Sequence, residues 1–267
     1  MHPIEQLRWV ARAAGEGPAL LAREAAGALA AFSDDPAGLV TACRRLVDRQ
    51  PTSGPMWWLA ARVLGAPVDA SHEAWTAAED LEDDTTPDVL VDALPDDATV
   101  AVLGWPEQAG AALRRRGDAV VYVIDAAGEG HQYARRLRGS GVESELIPES
   151  GLGAAVADAD LLLLEAMAMG PSGFVAIAGS RAAAATARHA GIPVWVAAGV
   201  GRVLPARLWD ALAARLERAG EPWLSPDEVV PLDLADRVAG PAGLQSPDDA
   251  TRRADCPVAP ELLKEIV

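Results

Sequence analysis

From residue 4 to about residue 91 the apolar positions recur every three or four residues, and no run alternates apolar with polar as a half-buried strand requires. This spacing predicts several short helices. One is opened by Asp34-Asp35-Pro36, an acidic cap before proline at the first helical position, and runs through Val40, Cys43 and Leu46-Val47. The next carries Trp57, Trp58, Ala61 and Leu64 and is stopped by Gly65-Ala66-Pro67. After Pro95 the pattern changes to near-continuous apolar runs at 99–103, 119–124, 144–147, 161–164 and 194–197. Strands covered on both faces need such runs, so a parallel sheet with helices on each side is expected. Helical segments lie between them and end at Gly117, Gly139 and Gly191; a further one starts at Pro205, places Leu208, Leu212 and Leu216 on one face, and stops at Gly220. The expected fold class is therefore α/β. A helical N-terminal domain, residues 1–95, precedes a Rossmann-like doubly wound parallel sheet domain, residues 96–267.

Charge sharpens the boundary. Between Glu79 and Asp97 there are nine acidic residues and no basic one, with Pro87 and Pro95 inside the stretch, which reads as a solvated connector. The whole chain has 39 Asp and Glu against 23 Lys and Arg, a net charge of -16. Such a balance repels phosphate backbones and anionic headgroups, so neither nucleic acid nor a membrane surface is an expected partner. Lys264 is the sole lysine. With 267 residues, 50% hydrophobic and 23% charged, the chain can bury a full core. Its first ten residues lack the basic start and apolar centre of a secretory signal, and the uncharged stretch between Glu165 and Arg181 is too short and too broken to span a bilayer. A cytoplasmic location is expected. Cys43 and Cys256 form no CxxC pair, and His2, His72 and His189 sit in unrelated segments, so no metal and no cofactor is expected.

In an open parallel sheet, ligands bind at the carboxyl ends of the strands, where the strand order reverses. The loops there are Gly104-Trp105-Pro106-Glu107-Gln108 after the first strand, residues 125–131 after the second, a long loop from Glu165 to Ser180 after the fourth, and residues 198–202 after the fifth. Their glycines permit close approach of a ligand to the backbone. Candidate ligand-binding residues are Gly104, Glu107, Gly130, Ser172, Gly173, Gly179, Ser180, Gly199 and Arg202. Gly179-Ser180 opens a helix whose free N–H groups suit a phosphate or carboxylate, although Ser180 also reads as an ordinary cap. Arg202 suits an anion or a plain surface position. Glu165 and Asp125 are the candidate acids for catalysis; Asp125 also suits a local pair with His131, and Glu165 a loop hydrogen bond. There is no GxGxxG, no GxxxxGK[ST] and no GxSxG, which removes support for nicotinamide, P-loop and hydrolase chemistry.

The segment 160–166, followed by Gly173, Gly179-Ser180 and Ala190-Gly191-Ile192-Pro193-Val194-Trp195-Val196-Ala197, resembles the core of the initiation factor 2B alpha/beta/delta family, which includes the methylthioribose-1-phosphate and ribose-1,5-bisphosphate isomerases. Arg49-Gln50-Pro51-Thr52 is similar to that family's Arg-Pro-Thr with one residue inserted, and residues 255–263 to its closing segment. The likeness runs from roughly Arg12 to Leu263. It implies a helical domain before a Rossmann-like one, dimerisation through the latter, and a sugar-phosphate crevice. The departures fall on the chemistry. Where the family isomerases carry a cysteine, this chain has Gly104-Trp105-Pro106; the Gly-Ala-Asp becomes Leu164-Glu165-Ala166; Asn-Lys becomes Ala176-Ile177; and Ala127 replaces an arginine. Three readings follow. The first is a protein that binds a small phosphorylated sugar or nucleotide, as a homodimer or higher homo-oligomer, without isomerase chemistry. The second is an active aldose-ketose isomerase with relocated acids. The third is an assembly subunit acting through protein contacts.

Overall fold

The computed structural model describes residues 5, 9–10, 17–66, 68–218, 220–252 and 254–264. Ile4, His2, the start of the resemblance at Arg12 and the proline of the Gly65-Ala66-Pro67 stop lie outside the described residues. Four helices come first: α1 (Pro18–Ala30), α2 (Pro36–Arg49), α3 (Gly54–Gly65) and α4 (Ala70–Glu82). The Asp35 side chain caps α2 by accepting from the Gly38 N–H at 2.9 Å, as the Asp-Asp-Pro signal requires. In α3, Trp57 and Trp58 are fully buried, with Arg215 and Arg62 stacked over their rings at 4.4 and 4.6 Å. These two tryptophans are core residues.

The acidic stretch 79–97 is solvated, with eight of its nine acidic residues exposed, but it is not an irregular connector. It contains the end of α4 and a further helix, α5 (Thr86–Ala93). Arginines bind it on both sides: Arg23 to Glu82, Arg62 to Asp80, Arg115 to Asp88 and Arg116 to Asp96. Leu90 and Leu94 of this stretch are buried against the sheet.

The sheet strands are β1 (Thr99–Leu103), β2 (Val120–Ile124), β3 (Ser144–Ile147) and β4 (Leu161–Glu165), with helices α6 (Gln108–Arg116), α7 (Gly130–Gly139) and α8 (Leu152–Asp158) between them. Next comes a hairpin, β5 (Ala168–Gly170) and β6 (Gly173–Ile177), then α9 (Ser180–Ala190), β7 (Val194–Ala197) and α10 (Ala206–Arg218). The chain closes with β8 (Asp227–Pro231), β9 (Arg237–Gly240), β10 (Gly243–Gln245) and α11 (Pro247–Arg252). Seven strands form the main sheet in the order β10-β9-β7-β4-β1-β2-β3. All neighbours are parallel except β10, which pairs antiparallel with β9. Alternate residues divide the sheet between two cores: Val100, Val102, Leu161 and Leu163 face α5, α6 and α7, while Ala101, Leu103, Leu162 and Leu164 face α8 and α9. This is the doubly wound arrangement that the continuous apolar runs require.

The expected long loop from Glu165 to Ser180 is instead the β5–β6 hairpin, which with β8 makes a three-stranded antiparallel sheet. The hairpin faces two ways. Ala168 and Val175 enter the core formed by α1–α4 and α10, whereas Met169, Phe174 and Ala176 enter the core beneath the main sheet. Among the described residues no helix is long and apolar enough to cross a membrane.

Candidate functional site

The chain winds outward in both directions from β1 and β4, so the strand order reverses between them and the crevice opens at their carboxyl ends. Glu165 is the last residue of β4. One of its oxygens, Oε2, accepts from the Gln108 and Ala109 N–H groups at 2.8 and 3.2 Å, and Oε1 lies 3.1 Å from Nη2 of Arg202. The carboxylate therefore sits on the free amides at the start of α6, where the helix dipole favours a negative charge. Both partners are shielded, with side-chain exposures of 12% and 5%. Arg202 also donates from Nη1 to the Ala166 carbonyl at 2.5 Å, and Oε2 of Glu107 stands 4.0 Å from its Nη2. Burial, then the negative charges of Glu165 and Asp84, push the Glu107 carboxyl above the ordinary range against the pull of Arg202.

A second carboxylate ties the helical part to this edge. Asp84, between α4 and α5, accepts from the Val200 N–H at 2.8 Å and from the Gln108 side-chain amide through one oxygen. Through the other it accepts from the N–H and hydroxyl of Thr86 at 2.9 and 2.6 Å. A cavity of about 220 Å³ lies beside these groups, bounded by Glu82, Asp84, Glu107, Gln108, Val200 and Arg202 among others.

The structure thus brings together Glu165, Arg202, Glu107 and Gly199, together with Asp84 and Gln108. Gly199 lies so close to the Asp84 carboxylate and the Gln108 amide that a Cβ would collide with both. Gly104, at φ +59°, and Gly179, at φ +97°, flank the end of β1: a Cβ on Gly104 would come within 2.7 Å of Ile177, and one on Gly179 within 3.5 Å of Leu103. Ser180 is buried, and its Oγ finds no hydrogen-bond partner among the described residues. The next amide, Arg181 N–H, donates to Glu228 at 2.9 Å. Asp125 and Gly130 form a local unit, with the Gly130 N–H donating to Asp125 at 2.9 Å and His131 Nδ1 3.1 Å from its other oxygen. Ser172 and Gly173 stand at the hairpin turn, where Trp209 donates to the Ser172 hydroxyl at 2.7 Å. Three helices that start at this sheet edge, α6, α7 and α9, therefore each hold a carboxylate of the chain itself at their first turn. Asp84 and Gln108 were not among the residues expected here. An Asp two residues before Thr86-Pro87 carries a local capping signal, but its reach to Val200, 116 residues away, is a property of the fold.

A helical layer packed on a doubly wound sheet, with a polar crevice at the switch point, defines a Rossmann-like crevice protein. Residues 44–233 match the model of IF-2B, the initiation factor 2 subunit family, and the chain belongs to that family. Among solved structures it is similar to the translation initiation factor eIF-2B of Pyrococcus horikoshii OT3, with 16% identity and a TM-score of 0.77 over 93% of this chain and 98% of that one. It is also similar to eIF2B beta from Chaetomium thermophilum, with 16% identity and a TM-score of 0.71 over 99% and 93% of the two chains. A chain of the tetrameric eIF2B-beta2-delta2 complex from C. thermophilum gives 17% identity and a TM-score of 0.72 over 94% and 92%. No curated protein sequence matches.

Proposed function

We propose that this chain is a non-catalytic member of the initiation factor 2 subunit family, acting in the cytoplasm as an assembly subunit in a homodimer or higher homo-oligomer. One observation carries the reading: the acid at the switch point has both oxygens engaged, on two amides and on Arg202. An aldose-to-ketose shift needs a group free to take and return a proton. Gly104-Trp105-Pro106 offers none, and the half-exposed Glu107 that follows is the crevice acid an isomerase reading would have to use. Burial pushes the thiols of Cys43 and Cys256 up to about 12. Asp125 is likewise engaged, by Gly130 and His131. Assembly is supported by the relative whose solved form is a beta2-delta2 tetramer, and by Trp223 and Leu224, which are 78% and 77% exposed on the turn before β8. Two measurements test the proposal. Ribose 1,5-bisphosphate and methylthioribose 1-phosphate should show no conversion above the uncatalysed rate, and light scattering should give at least a dimer. Turnover in the first, or a monomer throughout the accessible concentration range in the second, overturns it.

A second reading is favoured by the convergence of three donors, Gln108 N–H, Ala109 N–H and Arg202, on one anionic group. Such a set also suits a phosphate, so a phosphorylated sugar or nucleotide bound without turnover fits the same crevice, with Glu107, Gly199 and Arg202 around it. Occupancy at about 100 times the dissociation constant adds roughly 2.7 kcal/mol of stability. An unchanged melting temperature across ribose phosphates and nucleoside monophosphates removes this reading.

A further inference from the structure

The crevice contains an anion already, and it is covalently part of the chain. Glu165 hangs from the end of β4, and its carboxylate occupies the point where the first two amides of α6 and the Arg202 guanidinium converge. Arg202 is 4% exposed; besides Glu165 it meets the Ala166 carbonyl, a neutral acceptor, and, at 4.0 Å, the Glu107 carboxylate. A guanidinium so shielded from water needs a counter-charge, and Glu165 is the nearest one, closer than Glu107 by about 1 Å. Glu107, 4.0 Å from the guanidinium and 52% exposed, is the more distant and more solvated of the two acids. Asp84, the other acid nearby, is held by Val200, Gln108 and Thr86.

We infer that Glu165 is a built-in occupant that closes an anion-binding site: the site takes a carboxylate or phosphate, and the wild-type chain fills it intramolecularly. This deepens the phosphorylated-ligand reading above by naming what such a ligand must displace, and it stands independently of the assembly reading. The tether gives Glu165 a high effective concentration, so a free anion competes poorly. Glu165 therefore sets specificity by exclusion. Shortening it uncovers the two amides and the guanidinium, and the vacated volume is that of a small carboxylate.

The test uses the full-length chain as wild type, Glu165→Ala and the double variant Glu165→Ala with Arg202→Met. Sodium formate, inorganic phosphate and sodium chloride at matched ionic strength are titrated by calorimetry and followed by melting temperature. Glu165→Ala should bind formate or phosphate saturably, at least tenfold more tightly than wild type, and recover melting temperature with them but not with chloride. The double variant should do neither, since it lacks the cation. Absence of saturable binding to Glu165→Ala, or equal binding by the double variant, overturns the inference. Wild type binding phosphate as tightly as Glu165→Ala also overturns it, while leaving the phosphorylated-ligand reading standing. Should Glu165→Ala be recovered only as aggregate, refolding yield provides the same readout: a rise in formate or phosphate over chloride supports the closed site, and equal yields refute it.

Discussion

Replacing Asp84 by Ala or Asn tests whether the helical part and the crevice are held by one acceptor. The carboxylate takes four hydrogens, from Val200 N–H, the Gln108 amide, Thr86 N–H and the Thr86 hydroxyl. Thr86 is fully buried, and Val200 and Gln108 are partly so, which leaves their donors little water to replace the lost acceptor. Hydrogen bonds to a charged group are worth about 1.5–3 kcal/mol each, but bonds sharing one carboxylate do not add. Relaxation and partial hydration reduce the sum, so Asp84→Ala is expected to lose about 3–5 kcal/mol, a large share of the roughly 5–15 kcal/mol that holds a typical domain. Asp84→Asn separates chemistry from size. Asparagine keeps one acceptor oxygen for Thr86 but turns an amide donor toward the Val200 N–H, which also donates, while Gln108 can rotate its unpartnered Oε1 to accept, so the loss should be measurable but smaller than for alanine. Urea unfolding followed by far-ultraviolet circular dichroism gives both values, with an unchanged denaturant slope showing that the unfolded state is not the cause. A loss below about 1 kcal/mol for alanine, or an asparagine variant as stable as wild type, would refute the role given to this carboxylate.

Three further outcomes are expected. Gly199→Ala places a methyl group against the Asp84 carboxylate and the Gln108 amide and should destabilise by about 1–3 kcal/mol; a neutral effect in thermal melts would contradict the packing described. The Glu107 carboxyl binds its proton better folded than unfolded, so its contribution is present in acid and is lost as pH rises through its raised value. Glu107→Gln should hence exceed wild type in stability at neutral pH, by less than about 1 kcal/mol because half its side chain lies in solvent, and the gap should close in acid; a less stable variant at neutral pH would be the contrary result. Finally, a net charge of -16 implies self-repulsion that salt screens, so melting temperature should rise from low to high sodium chloride, and a steady fall would show that the arginine pairs outweigh the excess charge.

The legible part of the fold was the part encoded by continuous stretches of chain. The runs at 100–103 and 161–164 are apolar throughout because both faces are buried, and Gly117 and Gly191 end their helices in left-handed backbone at φ +70° and +75°. The hairpin was hidden by its composition. Ala168–Gly170 is three residues long and Gly173 opens its partner strand, so neither offers a period to count. The crevice was legible as a location but not as a set of contacts. Glu165 and Arg202 are 37 positions apart, and an arginine in a glycine-rich loop carries no mark of burial until the fold closes around it. The acidic run misled for a related reason: its charges lack basic neighbours in sequence, and Arg23, Arg62, Arg115 and Arg116 arrive from other elements.

The two-faced β5–β6 hairpin has a consequence for how the chain finds its native register. Ala168 opposite Val175 points to one core, and Met169 opposite Phe174 to the other. A slip of one residue would exchange the occupants of both cores together, setting the two aliphatic side chains of the first pair where a methionine and a phenylalanine belong. In an ordinary hairpin one face meets water and tolerates some misalignment. Here neither does, so this short ribbon acts as a key that fits two locks in only one setting, and the helical layer and the sheet check each other's alignment through it.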